Sequence, residues 1–121
     1  MINLTLPGSI RSKKNSKRIV GRGKRKFIIP SSAYLKWEKE ARKAIMLQLK
    51  FGFEPLTIPI VARVLAYYKG QQPDLSGALE SVGDCLEGLV YENDKQIISW
   101  DGSRLYHDLK NPRTLVEIVG G

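Results

Sequence analysis

Pro73-Asp74-Leu75-Ser76-Gly77-Ala78-Leu79-Glu80-Ser81-Val82-Gly83-Asp84-Cys85-Leu86-Glu87-Gly88, residues 73–88, is the stretch on which the architecture turns. Leu75, Leu79, Val82, Leu86 and Leu89 recur at helical spacing, so the periodicity predicts a helix from about Asp74 with these side chains as its buried stripe. Gly88 and the residues through Asn93 are expected to end it. Ile58 to Lys69, just upstream, is rich in β-branched and aromatic residues and reads as a central strand, with Gly70-Gln71-Gln72-Pro73 as the connecting loop. Downstream, Gln96 to Trp100 and Thr114 to Val119 read as strands joined by a polar loop that contains Asn111-Pro112.

Towards the start of the chain, Ile2 to Leu6 alternates apolar and polar residues up to Pro7-Gly8 and reads as a first strand. Lys26-Phe27-Ile28-Ile29 reads as another, paired with Lys17 to Val20 across Gly21-Arg22-Gly23-Lys24. Pro30-Ser31-Ser32 opens a helix running to about Lys50, with either serine as its N-cap. Trp37, Ala41, Ala44, Ile45 and Gln48 fall on one side of that helix, and Lys36, Lys39, Arg42 and Lys43 are spread over the others. The order β-β-β-α-β-α-β-β predicts an α+β (mixed α/β) fold: a single domain over residues 1–121, with one mixed β-sheet and two main helices packed on it.

Composition removes several classes of function. With 121 residues, 42% hydrophobic and 26% charged, the chain has the make-up of an ordinary globular domain. Cys85 is its only cysteine, which excludes an internal disulfide and a cysteine-based zinc site, and His107 is its only histidine. The N-terminus lacks the charged start and apolar run of a signal peptide. The longest apolar stretch, around Ile58 to Tyr68, is interrupted by Pro59 and Arg63 and is too short to span a membrane, so a cytoplasmic protein is expected. The charge is divided. Residues 1–50 hold 14 Lys/Arg against Glu38 and Glu40, whereas residues 51–121 hold 6 against 10 Asp/Glu. That division predicts one surface for a polyanion and another for a cation such as a metal ion.

Within residues 9–26, Arg11, Lys13, Lys14, Lys17, Arg18, Arg22, Lys24, Arg25 and Lys26 are interleaved with Ser12, Asn15 and Ser16. Such a segment suits contacts to a phosphate backbone, and Lys13, Lys14, Asn15, Lys17, Arg18, Lys24, Arg25 and Lys26 are the expected nucleic-acid-binding residues, with an RNA-binding arm open beside a DNA-binding one. The plainer reading is a solubilising loop. No P-loop is present, because no Gly-Lys-Ser/Thr follows Gly8 at the required spacing.

The second constellation is acidic. With Leu79, Val82 and Leu86 facing inward, about 100° per residue places Glu80, Asp84 and Glu87 together on an adjoining helix face. Asp74 stands at the helix start, where its carboxylate meets the N-terminal dipole, and Asp94 lies in the polar turn Glu92-Asn93-Asp94-Lys95. Clustered oxygen ligands are what magnesium requires, and a phosphodiesterase requires them where a phosphate can approach. The plainer reading is a solvated face and a helix cap. Trp37 and Trp100 are expected in the core or on the sheet, and Cys85 as a small buried hydrophobe.

The segment 73–88, extended by Val90-Tyr91-Glu92-Asn93-Asp94-Lys95-Gln96-Ile97, resembles the signature of RusA-like Holliday junction resolvases. The shared features are a Pro-Asp opening, a helix ending in Asp-x-Leu-x-Gly, and an acidic pair followed by Gln and an aliphatic strand. Ser12-Lys13-Lys14-Asn15-Ser16 and Phe27-Ile28-Ile29-Pro30-Ser31 look like that family's basic loop and the approach to its first helix. The resemblance implies a homodimer of a kind commonly encoded by phages or prophages. It would bind four-way DNA junctions and make one magnesium-dependent nick per subunit, with manganese as the alternative metal and no small-molecule cofactor. Asp74 and Asp94 match catalytic metal-binding aspartates, and Asp84 matches an acidic position for which a structural role stays open.

The chain departs from the family pattern at Ser76, where a second aspartate is usual, and at Glu80, where a catalytic lysine is usual. Asn93 in place of the first acid of the pair is a milder change. Glu80, together with Asp84, is the expected replacement ligand, with Lys95 or Arg104 offsetting transition-state charge. The competing functions are a junction-binding protein without catalysis, favoured by Ser76 and Glu80, and a basic RNA-binding accessory protein, which would leave the carboxylates unexplained.

Overall fold

A computed structural model describes residues 1–12, 17–21 and 27–121. The elements in chain order are β1 (Ile2–Pro7), β2 (Lys17–Val20), β3 (Phe27–Pro30), α1 (Ser32–Gln48), β4 (Ile60–Tyr68), α2 (Leu75–Leu86), a 3₁₀ turn (Asp94–Gln96), β5 (Ile97–Ser99), β6 (Arg104–His107) and β7 (Arg113–Gly120). This is the α+β domain expected: one mixed five-stranded sheet and two helices. β2 and β3 form a separate antiparallel pair, with Lys17 opposite Pro30 and Val20 opposite Phe27. Lys17 and Arg18 therefore lie on β2, whereas Lys13, Lys14, Asn15, Lys24, Arg25 and Lys26 lie outside the described residues, as does the rest of the expected hairpin loop beyond Gly21.

The main sheet runs β1-β7-β4, with β5 and β6 sharing the far edge of β4. β7 is antiparallel to both neighbours, while β5 and β6 run parallel to β4. Residues 100–113 are thus not simply the polar loop expected. Arg104–His107 pairs with Leu65–Tyr68 and continues the edge that β5 begins. In the gap between the two, the Ser103 hydroxyl accepts from Val64 N at 3.0 Å, so the ladder loses no partner there. Gly102 makes the intervening turn at φ 85°, and a Cβ there would stand 2.8 Å from Arg63 Cδ.

Period-2 alternation decides which face is buried. Leu4 and Leu6 of β1, Ile60, Ala62, Val64 and Ala66 of β4, and Thr114, Val116 and Ile118 of β7 are buried in register with one another. Tyr34, Trp37, Ala41 and Ile45 of α1 and Ala78, Val82, Cys85 and Leu86 of α2 join the same core. Val61, Arg63, Leu65 and Tyr67 point to the opposite face. There Arg113 lies over the Tyr67 ring, which stacks on Tyr106 at 4.8 Å.

The α2 stripe differs from the sequence expectation at its start. Leu75 is 40% exposed and Leu79 and Leu89 are half-buried, while Gly77, Ala78, Ser81, Gly83 and Cys85 are buried. Small residues thus share the inner face with Val82 and Leu86, Gly77 meeting Ser12 and Gly83 meeting Tyr91 and Trp100, while Leu75 turns outward. α1 ends at Gln48 and α2 at Leu86, each earlier than expected, and Ser31 is the cap of α1, its side chain accepting from Tyr34 N. Ile58 precedes β4 and is half-exposed.

Two polar side chains of α1 hold elements together. Gln48 is exposed, yet its amide donates to Thr5 O at 2.8 Å and accepts from Thr5 N at 2.9 Å, strapping α1 to the outer strand β1. Arg42 of α1 donates from Nη1 to Cys85 O at 3.1 Å and Glu87 O at 3.2 Å, and so caps the C-terminus of α2 with a cation where the helix dipole favours one. Among the described residues no helix is long and apolar enough to cross a membrane.

Candidate active site

Asp74 is the N-cap residue of α2, in extended conformation (φ −71°, ψ 131°), and its carbonyl accepts from Ala78 N at 2.9 Å. It stands at the helix start as expected, but its carboxylate makes no hydrogen bond to the first-turn amides. Oδ2 instead accepts the Ser76 hydroxyl at 2.8 Å. The residue that replaces a carboxylate in the family pattern therefore orients the one that remains.

Further along α2, one helical turn apart, stand Glu80 and Asp84. They line an open pocket of about 320 Å³ together with Ser76, Leu79, Gly83, Asp94, Ile97 and Trp100. The structure thus brings three of the expected residues, Glu80, Asp84 and Asp94, to one concavity. Asp74 is not part of the lining but is bonded to Ser76, which is, and Glu87 is not part of it either. Trp100, expected in the core or on the sheet, is a half-buried pocket wall.

Asp94 is placed by a network of short bonds. The turn Asp94–Gln96 is capped by Asn93, whose side chain accepts from Lys95 N at 2.9 Å. Gln96 Oε1 accepts from Glu92 N and Asn93 N at 3.0 and 2.8 Å, and its Nε2 donates to Leu56 O and Ile58 O at 2.8 and 2.9 Å. All the amide's principal sites are used, and the turn is thereby tied to the segment leading into β4. Glu87 then accepts from Asp94 N at 2.9 Å, joining the turn to the end of α2. Sequence reading placed Gln96 at the start of a strand; its role as a double bracket depends on the Leu56–Ile58 segment lying alongside, about forty residues away in sequence.

Beneath the pocket lies Tyr91, fully buried, with its hydroxyl donating to Gly83 O. Burial raises its hydroxyl pKa above the ordinary value, and the charges of Asp94, Glu87 and Asp84 raise it further. The Cys85 thiol is pushed up to about 12, chiefly by burial. It is the inert small hydrophobe expected.

The donor set is all oxygen, which fits magnesium by ligand type. Among the described residues, however, no three Asp, Glu, His or Cys side chains stand close enough together to hold a metal ion. Loading the site requires the carboxylates to draw together. The described pocket lining includes no cation, and neither Lys95 nor Arg104 belongs to it. Arg104 lies over the Tyr106 ring, 5.2 Å from its centroid.

A carboxylate pocket on a mixed sheet, in a chain whose other half is strongly basic, has the chemistry of a nuclease. The chain belongs to the endodeoxyribonuclease RusA family, whose model, described as Endodeoxyribonuclease RusA, matches residues 7–119. It is a family of Holliday junction resolvase nucleases, and its substrates are branched DNA. No curated protein matches the sequence significantly.

Proposed function

We propose that this protein is a structure-selective endonuclease that cuts four-way DNA junctions by magnesium-dependent phosphodiester hydrolysis, with manganese able to substitute. The observation that carries the reading is the pocket to which α2 contributes Glu80 and Asp84 and the turn after it contributes Asp94, with Asp74 bonded to the lining residue Ser76. Asp74, Asp94, Glu80 and Asp84 are the residues that would hold the ion. When bound, it would polarise the phosphate and supply positive charge where charge develops. Glu80 in this arrangement stands in for the ligand lost at Ser76.

The chain's own residues supply the placement. Ser76 turns the Asp74 carboxylate away from the helix amides. Gln96 and Glu87 fix the Asp94 turn, and Leu79, Ile97 and Trp100 form apolar walls that limit water on one side. Lys13, Lys14, Asn15, Lys17, Arg18, Lys24, Arg25 and Lys26 grip the phosphate backbone, with affinity falling as salt rises. A two-fold homodimer matches the two equivalent strands of a junction.

The test incubates labelled four-way junction, linear duplex and single strand with the protein, with magnesium or with chelator. Symmetric nicks on the junction alone, dependent on the metal, are expected. Junction binding in chelator without any cutting in magnesium or manganese would refute the catalytic reading, and equal affinity for all three DNAs would refute the structural selectivity.

A further inference from the structure

Ser12 immediately precedes the basic run Lys13-Lys14 and is 4% exposed. Its hydroxyl is buried and makes no hydrogen bond. A hydroxyl taken out of water without a partner is costly, so such groups in folded proteins call for a reason. The atom's position supplies one. Gly77 lies in the first turn of α2, where glycine is a poor helix former. A Cβ on Gly77 would stand 2.2 Å from Ser12 Oγ and 3.0 Å from Ser12 Cβ, so only glycine leaves a notch deep enough for the serine. The same point in space lies 3.7 Å from Asp74 Oδ2. An unpartnered donor and a carboxylate oxygen thus flank one glycine at the N-terminus of the site helix. That carboxylate already accepts from Ser76 and has lone pairs left for another donor.

We propose that Ser12 is a positioning residue for Asp74: seated in the notch at Gly77, its hydroxyl is the second donor, beside Ser76, that orients this carboxylate for the metal and the phosphate. In this structure the two oxygens are not hydrogen-bonded, and the pairing requires a side-chain rotation at Ser12 or Asp74. Because Ser12 adjoins Lys13 and Lys14 in the chain, it joins the segment that grips DNA to the carboxylate that acts on it. The inference rests on the proposed role of Asp74 and adds a residue that the acidic motif does not contain.

The test compares wild type with Ser12→Ala, Gly77→Ala and the double variant Ser12→Gly/Gly77→Ala. Four quantities are measured: melting temperature, four-way junction affinity in chelator, Mn²⁺ affinity of the DNA-free protein by calorimetry, and single-turnover junction cleavage in magnesium. Ser12→Ala is expected to melt like wild type and bind junction within about twofold, while Mn²⁺ affinity and the cleavage rate each fall by about 10–100-fold, the usual effect of losing an outer partner of a ligand. Gly77→Ala is expected to lower the melting temperature, and the double variant to regain most of it, since removing the serine side chain makes room for the new methyl group. Unchanged Mn²⁺ affinity in Ser12→Ala overturns the proposal, as does a loss of junction affinity as large as the loss of rate. If wild type itself binds Mn²⁺ but cuts no DNA, the nuclease reading fails while the Mn²⁺ comparison still decides the role of Ser12. If wild type binds no Mn²⁺, both fall.

Discussion

Gln96→Ala removes the bracket that holds the Asp94 turn. Four hydrogen bonds are lost, to Glu92 N, Asn93 N, Leu56 O and Ile58 O. Three of them lie at exposed positions, where water replaces the side chain, and the bond to Leu56 O is partly buried and is replaced less well. At roughly 0.5–1.5 kcal/mol per bond, discounted for the exposed three, the loss of stability is about 2–3 kcal/mol. For a domain of this size that corresponds to a fall of about 10 °C in melting temperature. The turn is then left with the backbone bonds of Leu56 to Val90 and Glu92 and the bond from Asp94 N to Glu87, so Asp94 is held less firmly at the pocket. Junction cleavage well below the new melting point should fall further than stability alone explains, by about tenfold or more. Gln96→Glu makes a sharper probe, because it keeps an acceptor for the two amides but faces two carbonyls with oxygen. It should be at least as damaging as alanine. The assays are thermal unfolding followed by circular dichroism and single-turnover cleavage at 25 °C. A Gln96→Ala protein that melts within about 2 °C of wild type would refute the bracket, since even one net hydrogen bond exceeds that shift.

Arg42→Ala should cost about 1–2 kcal/mol in urea unfolding, because it strips a cation from the C-terminal carbonyls of α2, and Arg42→Lys should recover only part of that; a neutral result would show that water caps the helix equally well. Cys85, with its thiol pushed up to about 12, should resist thiol reagents in the folded protein at pH 8 and react once urea unfolds it. Because the folded value lies above the unfolded one, the unfolded chain ionises first, and Cys85 should make stability decline as pH rises above about 9 towards 12; labelling of the native protein within minutes would contradict its burial. Glu80→Ala should lower single-turnover junction cleavage by at least about tenfold with junction affinity in chelator unchanged, and wild-type cleavage would remove Glu80 from the site.

The sequence made the sheet-and-helix architecture readable wherever one side of an element met the core. β1, α1 and β4 follow their apolar periods closely, and Glu80 and Asp84 fall on one face because helical spacing fixes that. On α2 the expected Val82 and Leu86 are buried and Leu79 and Leu89 pack against the core, but Leu75 is exposed and the inner face also takes Gly77, Ala78, Ser81 and Cys85, small residues that a hydrophobicity count undervalues. β6 was missed because Arg104–His107 has little apolar character, and its pairing with β4 comes from backbone bonds to a strand distant in sequence. The brackets made by Gln96, Arg42 and Gln48 have no local signature, because each reaches a carbonyl or amide brought near by the fold. Ser12 and Gly77 are likewise unremarkable 65 positions apart and informative only in contact.

The strap from Gln48 to Thr5 has a bearing on how two copies of this chain can meet. Antiparallel pairing sends both Thr5 backbone groups outward, towards the free side of β1, and there a side-chain amide matches them as another strand would. A second molecule extending the sheet through the middle of β1 would have to displace that amide and gain nothing for the first two bonds it made. The device is a form of insurance against runaway polymerisation, useful in a protein with a half-apolar reverse sheet face. Pairing of a second copy along the middle of this rim is thereby disfavoured.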